Sequence, residues 1–234
     1  MDAGDVVCTA ILQKDIEKGL EYALASLPYT FDRMKYGRKT TEAYLKRMEN
    51  ITMGKCAEAA IIRFLRAHGV RHSSTTGVTP FTEPDYFDLR IGDEIVDIKT
   101  FRLPEKYASA KWIINALALI PNQSPKDQWS QRHHYHRYVF GFFAGKLSLT
   151  LRQELSALLH KSDRVGKNEV RVSQQEARIF LTAAPNIAEC EQKFRRIPAG
   201  SKCLQYPRGT RIENMGCWIR ELTAFRKVVE WGGV

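Results

Sequence analysis

Two residues, Gly92-Asp93, lie between two short extended runs, Tyr86 to Ile91 and Glu94 to Phe101, and they constrain the fold of this chain more than any other feature. A Gly/Asp pair between strand-like segments is a hairpin signal. With the turn placed there, Ile91 stands opposite Glu94, Arg90 opposite Ile95, Leu89 opposite Val96 and Asp88 opposite Asp97. Side chains alternate along a strand, so Leu89, Ile91, Val96 and Ile98 share one face and are suited to pack on a helix. Asp88, Asp97 and Lys99 share the other.

That second face is the unusual one. Two carboxylates directly opposite each other destabilise a strand pair unless something positive lies between them. A divalent cation resolves the repulsion. Hard oxygen donors on two aspartates suit Mg2+, with Mn2+ as a substitute, because Mg2+ keeps several waters and also takes phosphate oxygens. The expected ligands are Asp88, Asp97 and the backbone carbonyl of Ile98. Lys99, two residues beyond Asp97, is then placed to orient or help deprotonate an attacking water, or to stabilise charge as phosphorus becomes five-coordinate. The competing reading is a solvent-facing ribbon in which the same three residues form a surface ion-pair cluster.

Apolar spacing predicts helices around the hairpin. Ile11, Leu12, Ile16, Leu20, Ala23 and Leu27 describe one from Ala10 to Leu27 that ends near Pro28. A basic, aromatic connector, Tyr29 to Lys39, follows. Thr40 and Thr41 read as the N-cap region of a second helix carrying Tyr44, Leu45 and Met48. A third is expected from Gly54 to Gly69, with Ala57, Ala60, Ile61, Phe64 and Leu65 on one face. Ser73 to Thr82 reads as a loop. Beyond the hairpin, Tyr138 to Phe143 and Ala177 to Ala183 read as strands, Leu149 to Leu159 as a helix, and Trp218 to Val229 as a helix or a strand followed by a helix. The order predicts a mixed α/β (α+β) domain with a central mixed sheet flanked by helices.

Composition narrows the partners. The formal net charge of +10 favours polyanions, and phosphate backbones in particular. The apolar run Trp112 to Ile120 is too short to cross a bilayer and is cut by Pro121. The N-terminus carries Asp2 and Asp5 and lacks the basic, apolar, small-residue order of a secretory signal, so a cytoplasmic location and no membrane partner are expected. Cys8, Cys56, Cys190, Cys203 and Cys217 are odd in number and widely spaced, and read as reduced thiols.

Pro84-Asp85, Asp88 and Asp97-Ile98-Lys99 together resemble the signature of the PD-(D/E)XK nuclease superfamily. Gly54-Lys55-Cys56-Ala57-Glu58 is similar to the helix in which many members carry a further active-site glutamate, here Glu58. The resemblance covers Gly54 to Phe101 and implies the restriction-endonuclease-like core. It divides a single nuclease domain, 1–234, into an N-terminal helical extension (1–53), a catalytic core (54–145) and a C-terminal elaboration (146–234) completing the sheet and substrate contacts. The activity implied is Mg2+-dependent endonucleolytic hydrolysis of DNA, double-stranded and of restriction type, with Glu58 as outer or second-metal ligand. Cleavage of both strands would favour a homodimer. Alternatives are a structure-specific repair or junction nuclease, an RNA-processing nuclease, and a basic nucleic-acid-binding module that does not cut. The family name puts the metal-binding aspartate directly after proline, which is Asp85. Strand alternation turns Asp85 away from the Asp88 face, so Asp88 is the expected ligand and Asp85 the reserve.

Arg102, Lys106, Lys111, Arg132 and Arg137 are the candidate DNA contacts, each with a solvated-face alternative. His133, His134 and His136, between Arg132 and Arg137, lack zinc-site spacing and read as a surface patch or strand lead-in. Cys8 followed by Cys190, Cys203 and Cys217 copies the order of the cluster-binding cysteines in some RecB-type nucleases, but not their compact spacing. A second acid-x-Lys triplet, Glu191-Gln192-Lys193, has no preceding carboxylate hairpin and marks the chance background for the motif.

Overall fold

The protein is seen in a computed structural model, which describes residues 1–30, 40–74, 88–123, 128–151, 170–228 and 230. Backbone pairing among them builds one six-stranded and one three-stranded sheet. The larger contains β1 (Val7–Ala10), β2 (His72–Ser74), β3 (Leu89–Ile91), β4 (Glu94–Arg102), β6 (Arg137–Leu151) and β7 (Val170–Ala183), in the order β1-β7-β6-β4-β3-β2. β4 and β6 are parallel and the other neighbours antiparallel, so the sheet is mixed. A parallel pair needs a long crossover, and residues 103–136 supply it. That connection carries the short helix α3 (Ala110–Ile113) and β5 (Leu117–Pro121), which pairs with β9 (Asn214–Trp218) and through it β8 (Arg195–Ile197).

Helix α1 (Gln13–Thr30) and helix α2 (Thr41–Ala67) precede the hairpin, and α4 (Ile187–Lys193) follows β7. Thr40 caps α2 by accepting a hydrogen bond from the Ala43 N–H at 3.2 Å. Gly69, at φ 69°, supplies the left-handed residue that follows the helix. Between them Met53, Cys56, Ala57, Ala60, Ile61 and Leu65 recur at three- and four-residue steps, and all six are buried. The stripe packs on Leu89, Ile91 and Val96 of the hairpin and Val139 and Phe143 of β6. Each large aliphatic side chain fully buried there contributes about 1.5–3 kcal/mol. The opposite sheet face is covered as well: Tyr138, Phe140 and Phe142 pack with Ile113 of α3, Ala118 of β5 and Cys217 of β9. Alternation along one strand thus feeds two cores.

Several sequence expectations change. The first helix begins at Gln13, because Ala10 belongs to β1, and it continues through Pro28 to Thr30. Proline forfeits one N–H bond, a smaller loss in a final turn than mid-helix. The two helices expected around Thr41 and Gly54 are one, since Gly54 sits on a face with open space around it and propensity alone does not break a packed helix. The boundary expected between 53 and 54 therefore falls inside α2, and that between 145 and 146 inside β6. Ser73 and Ser74 are in β2, not a loop. Leu149 to Leu151 continue β6 rather than opening a helix, their partners being Val172 to Val170 on β7, and 152–159 lie outside the described residues. Trp218 ends β9, and 3₁₀ turns over Ile219–Glu221 and Phe225–Lys227 follow. The connector positions 31–39 are also outside the described residues. No helix among the described residues is long and apolar enough to cross a membrane.

Candidate active site on the β3-β4 hairpin

The hairpin closes as its sequence dictates. Gly92 adopts φ 57°, a conformation costly for any residue with a Cβ, and Leu89, Arg90 and Ile91 pair with Val96, Ile95 and Glu94. Arg71 buttresses the turn, its carbonyl accepting from the Gly92 N–H at 2.8 Å and its guanidinium donating to Asp93 at 2.8 Å. Asp88 sits one residue before β3, where its Oδ2 accepts the Ile98 N–H at 2.7 Å. That bond draws the Asp88 carboxylate across the strand gap to Asp97, within hydrogen-bonding reach. The Ile98 carbonyl opens on the same strand edge as the N–H that Asp88 accepts.

Asp97 is only 7% exposed. Its Oδ2 touches the Lys99 ammonium as an ion pair. Burial, and then the Asp88 charge, push its carboxyl up to about 7, against the lowering influence of Lys99. The Lys99 Nζ lies 5.6 Å from the centroid of the Tyr138 ring. Parallel pairing sets Tyr138 beside Asp97, and Tyr135 leads into the same strand. Burial, with the Asp97 charge next, drives both phenols well above the usual tyrosine range, so each stays a neutral hydroxyl. The Tyr138 hydroxyl donates to the Gln128 carbonyl at 3.3 Å. Neither tyrosine was singled out as a site residue by the sequence, because their placement depends on the nonlocal β4-β6 register.

The remaining expected residues are distributed otherwise. Glu58 is 8% exposed and takes Lys55 through both carboxylate oxygens, at 2.7 and 2.9 Å. Its helix packs on the Val96 face of the hairpin, the reverse of the face that carries Asp97 and Lys99. Asp85 lies outside the described residues. Arg137 is tied to Glu94 and to the Ala184 carbonyl, and Arg132 to Glu191 at 2.9 Å while stacking over Trp129. Arg102 reaches Glu49 at 3.5 Å. Lys106 and Lys111 are exposed. His136 works as a strand lead-in: its ring Nδ1 accepts from the Ile95 N–H at 3.0 Å and its backbone N–H donates to the Ile95 carbonyl at 2.8 Å. His133 and His134 are exposed in a 3₁₀ turn.

All five cysteines are free thiols. Burial pushes Cys56 and Cys217 up to about 12 and Cys190 higher still, which keeps them protonated and unreactive. Among the described residues no three His, Cys, Asp or Glu side chains form a metal-binding group. What the hairpin offers is a two-carboxylate donor set with an adjoining backbone carbonyl. A buried carboxylate that shares its surroundings with Lys99 and a second carboxylate fits a hard cation that retains most of its waters. Comparison with family models, with curated proteins and with solved structures gives no match.

Proposed function

We propose that this chain is a Mg2+-dependent DNA endonuclease of the PD-(D/E)XK type, with a restriction-endonuclease-like core and its active site at Asp88, Asp97 and Lys99. The observation that carries the reading is the carboxylate pair, Asp97 buried and Asp88 partly buried. Asp88 and Asp97 are held in contact by a backbone hydrogen bond from Ile98 to Asp88, with Lys99 as counter-charge. Leaving two acids in that state costs stability, and a site that retains such a cost has a use for it.

Asp88, Asp97 and the Ile98 carbonyl would hold the cation. When bound, it lowers the pKa of a coordinated water and offsets negative charge on the scissile phosphate. Asp88 is oriented by the Ile98 N–H, which fixes one oxygen and leaves the other to bind. Lys99 stands against Asp97 with its ammonium 5.6 Å from the Tyr138 ring centroid, which keeps it on the carboxylate side of the strand. There it positions the attacking water and donates toward the phosphoryl oxygens. Tyr135 and Tyr138 wall the site as neutral, apolar-bodied groups that limit water beyond the reacting one.

Restriction-type cleavage of duplex DNA is the leading subclass. The engagement of Glu58 by Lys55, on a helix packed against the opposite sheet face, favours a second reading as a basic nucleic-acid-binding module that does not cut. Incubation of the protein with supercoiled plasmid in Mg2+ or in EDTA separates them. Nicked or linear DNA in Mg2+ alone supports the nuclease. A mobility shift without cleavage in either buffer supports the binding module, and a parallel RNA duplex tests the RNA alternative.

A further inference from the structure

Large apolar side chains exposed on this protein include two tryptophans close together. Trp112 on α3 is 48% exposed and Trp218 at the end of β9 is 40% exposed. Asn115 lies three residues after Trp112, hence on the same side of that helical turn, and its Oδ1 accepts from the Arg220 guanidinium. Arg220 in turn lies 5.2 Å over the Trp218 ring, and its N–H donates to the Ile114 carbonyl at 3.1 Å. On the other flank Tyr107 meets Trp112 edge-on at 5.6 Å and carries Lys106 4.8 Å over its ring, with exposed Lys111 next to Trp112. Exposed Glu105 and Glu221 lie beside these cations in the chain, and the 3₁₀ turn Ala3–Asp5, capped by Asp2, packs against α3, while the Met1 ammonium donates to the Arg220 carbonyl at 2.7 Å.

From this alternation of exposed rings and cations we infer a platform for single-stranded DNA, with bases stacking on Trp112 and Trp218 and phosphates held by Lys106, Lys111 and Arg220. A duplex keeps its bases stacked on one another and presents mainly phosphates and groove edges, which lysines alone would satisfy. Solvent-facing indoles between cations match unstacked bases, each of which offers a π-face whatever its identity. From Asp97 and Lys99 the chain runs through Phe101 at the end of β4 and Leu103 to Tyr107 of this patch, and Phe101, Leu103 and Tyr107 pack in the cluster on the Tyr138 face of the large sheet. The inference rests on the nuclease reading for its purpose and moves its substrate from an intact duplex, as in the restriction-type subclass, to DNA carrying a single-stranded arm, as in the structure-specific one. The binding itself is independent of cleavage.

The test is fluorescence anisotropy with labelled oligo-dT of roughly 16 nucleotides, and a duplex of the same length, in EDTA at about 200 mM salt. The wild type should bind oligo-dT at least about tenfold more tightly than the duplex. Trp112→Ala and Trp218→Ala should each weaken oligo-dT binding by about tenfold, with partial rescue by Trp→Phe. Equal affinity for duplex and oligo-dT, or alanine variants that bind like wild type, would overturn the platform. Circular dichroism of the variants excludes misfolding as the cause. Plasmid cutting by both variants in Mg2+ reports on the nuclease separately: cutting without oligo-dT preference sinks only the platform, and preference without cutting sinks only the nuclease.

Discussion

Replacing Asp97 by asparagine should stabilise the metal-free fold, and the gain should depend on pH. The Asp97 carboxyl is raised from 3.8 to about 7 in the folded state, chiefly by burial and then by Asp88. A raised acid binds its proton more tightly folded than unfolded, so it imposes no penalty well below pH 4. The penalty grows between pH 4 and 7 and is complete above 7. A shift of about three units corresponds to a ceiling of ~4 kcal/mol. Asp97→Asn removes that penalty but strips Lys99 of its partner, itself a cost of a few kcal/mol in a buried setting. The net gain expected at pH 8 is ~1–2 kcal/mol, or about 2–8 °C in Tm for a domain of this size. Melting wild type and variant in EDTA across pH 4 to 8 reads it directly. A gain that shrinks toward zero, or turns to a loss, as pH falls supports the reasoning. A variant less stable than wild type at pH 8, with the deficit unchanged at pH 4, would refute it.

Other outcomes follow from the same geometry. Millimolar Mg2+ should raise the Tm of wild type and leave that of Asp97→Asn unmoved, a linkage effect measurable by differential scanning fluorimetry. Arg63→Ala should cost ~3 kcal/mol in urea unfolding, because Asp15, 4% exposed, would lose the guanidinium that joins α1 to α2. Gly216→Ala should cost ~1–3 kcal/mol by the same measurement, since a Cβ there would stand 2.3 Å from the Ala118 carbonyl oxygen and force β5 from β9.

What the sequence made legible was local. The register Leu89 to Val96 was readable because a two-residue turn leaves one pairing that sends all the apolar side chains to one face, and the pairing of Asp88 with Asp97 follows from it. The burial of α2 was readable for the same kind of reason, as was the Thr40 cap. Nonlocal facts were not. β1 is four residues whose strand identity comes from pairing with β7, far along the chain, and β5 was hidden in an apolar run that periodicity cannot assign. Tyr135 and Tyr138 enter the site only through the parallel β4-β6 register. Glu58 was given by the resemblance, which could not show that its helix would pack on the Val96 face of the hairpin or that Lys55 would engage it. Arg132 and Arg137 were read as DNA contacts from charge, whereas their acidic partners, Glu191 and Glu94, are set by tertiary packing.

Asp88, Asp97 and Lys99 are proposed to act together on a phosphodiester. The direct measurement is Mg2+-dependent plasmid cleavage by wild type, Asp88→Asn, Asp97→Asn and Lys99→Ala, each purified identically and checked for DNA binding by mobility shift. Wild type should cut only with the metal, and each variant should bind DNA yet cut at least about a hundredfold more slowly, the scale of losing a group that acts in the transition state. Cleavage by any of the three at the wild-type rate would contradict the assignment of the active site to this hairpin.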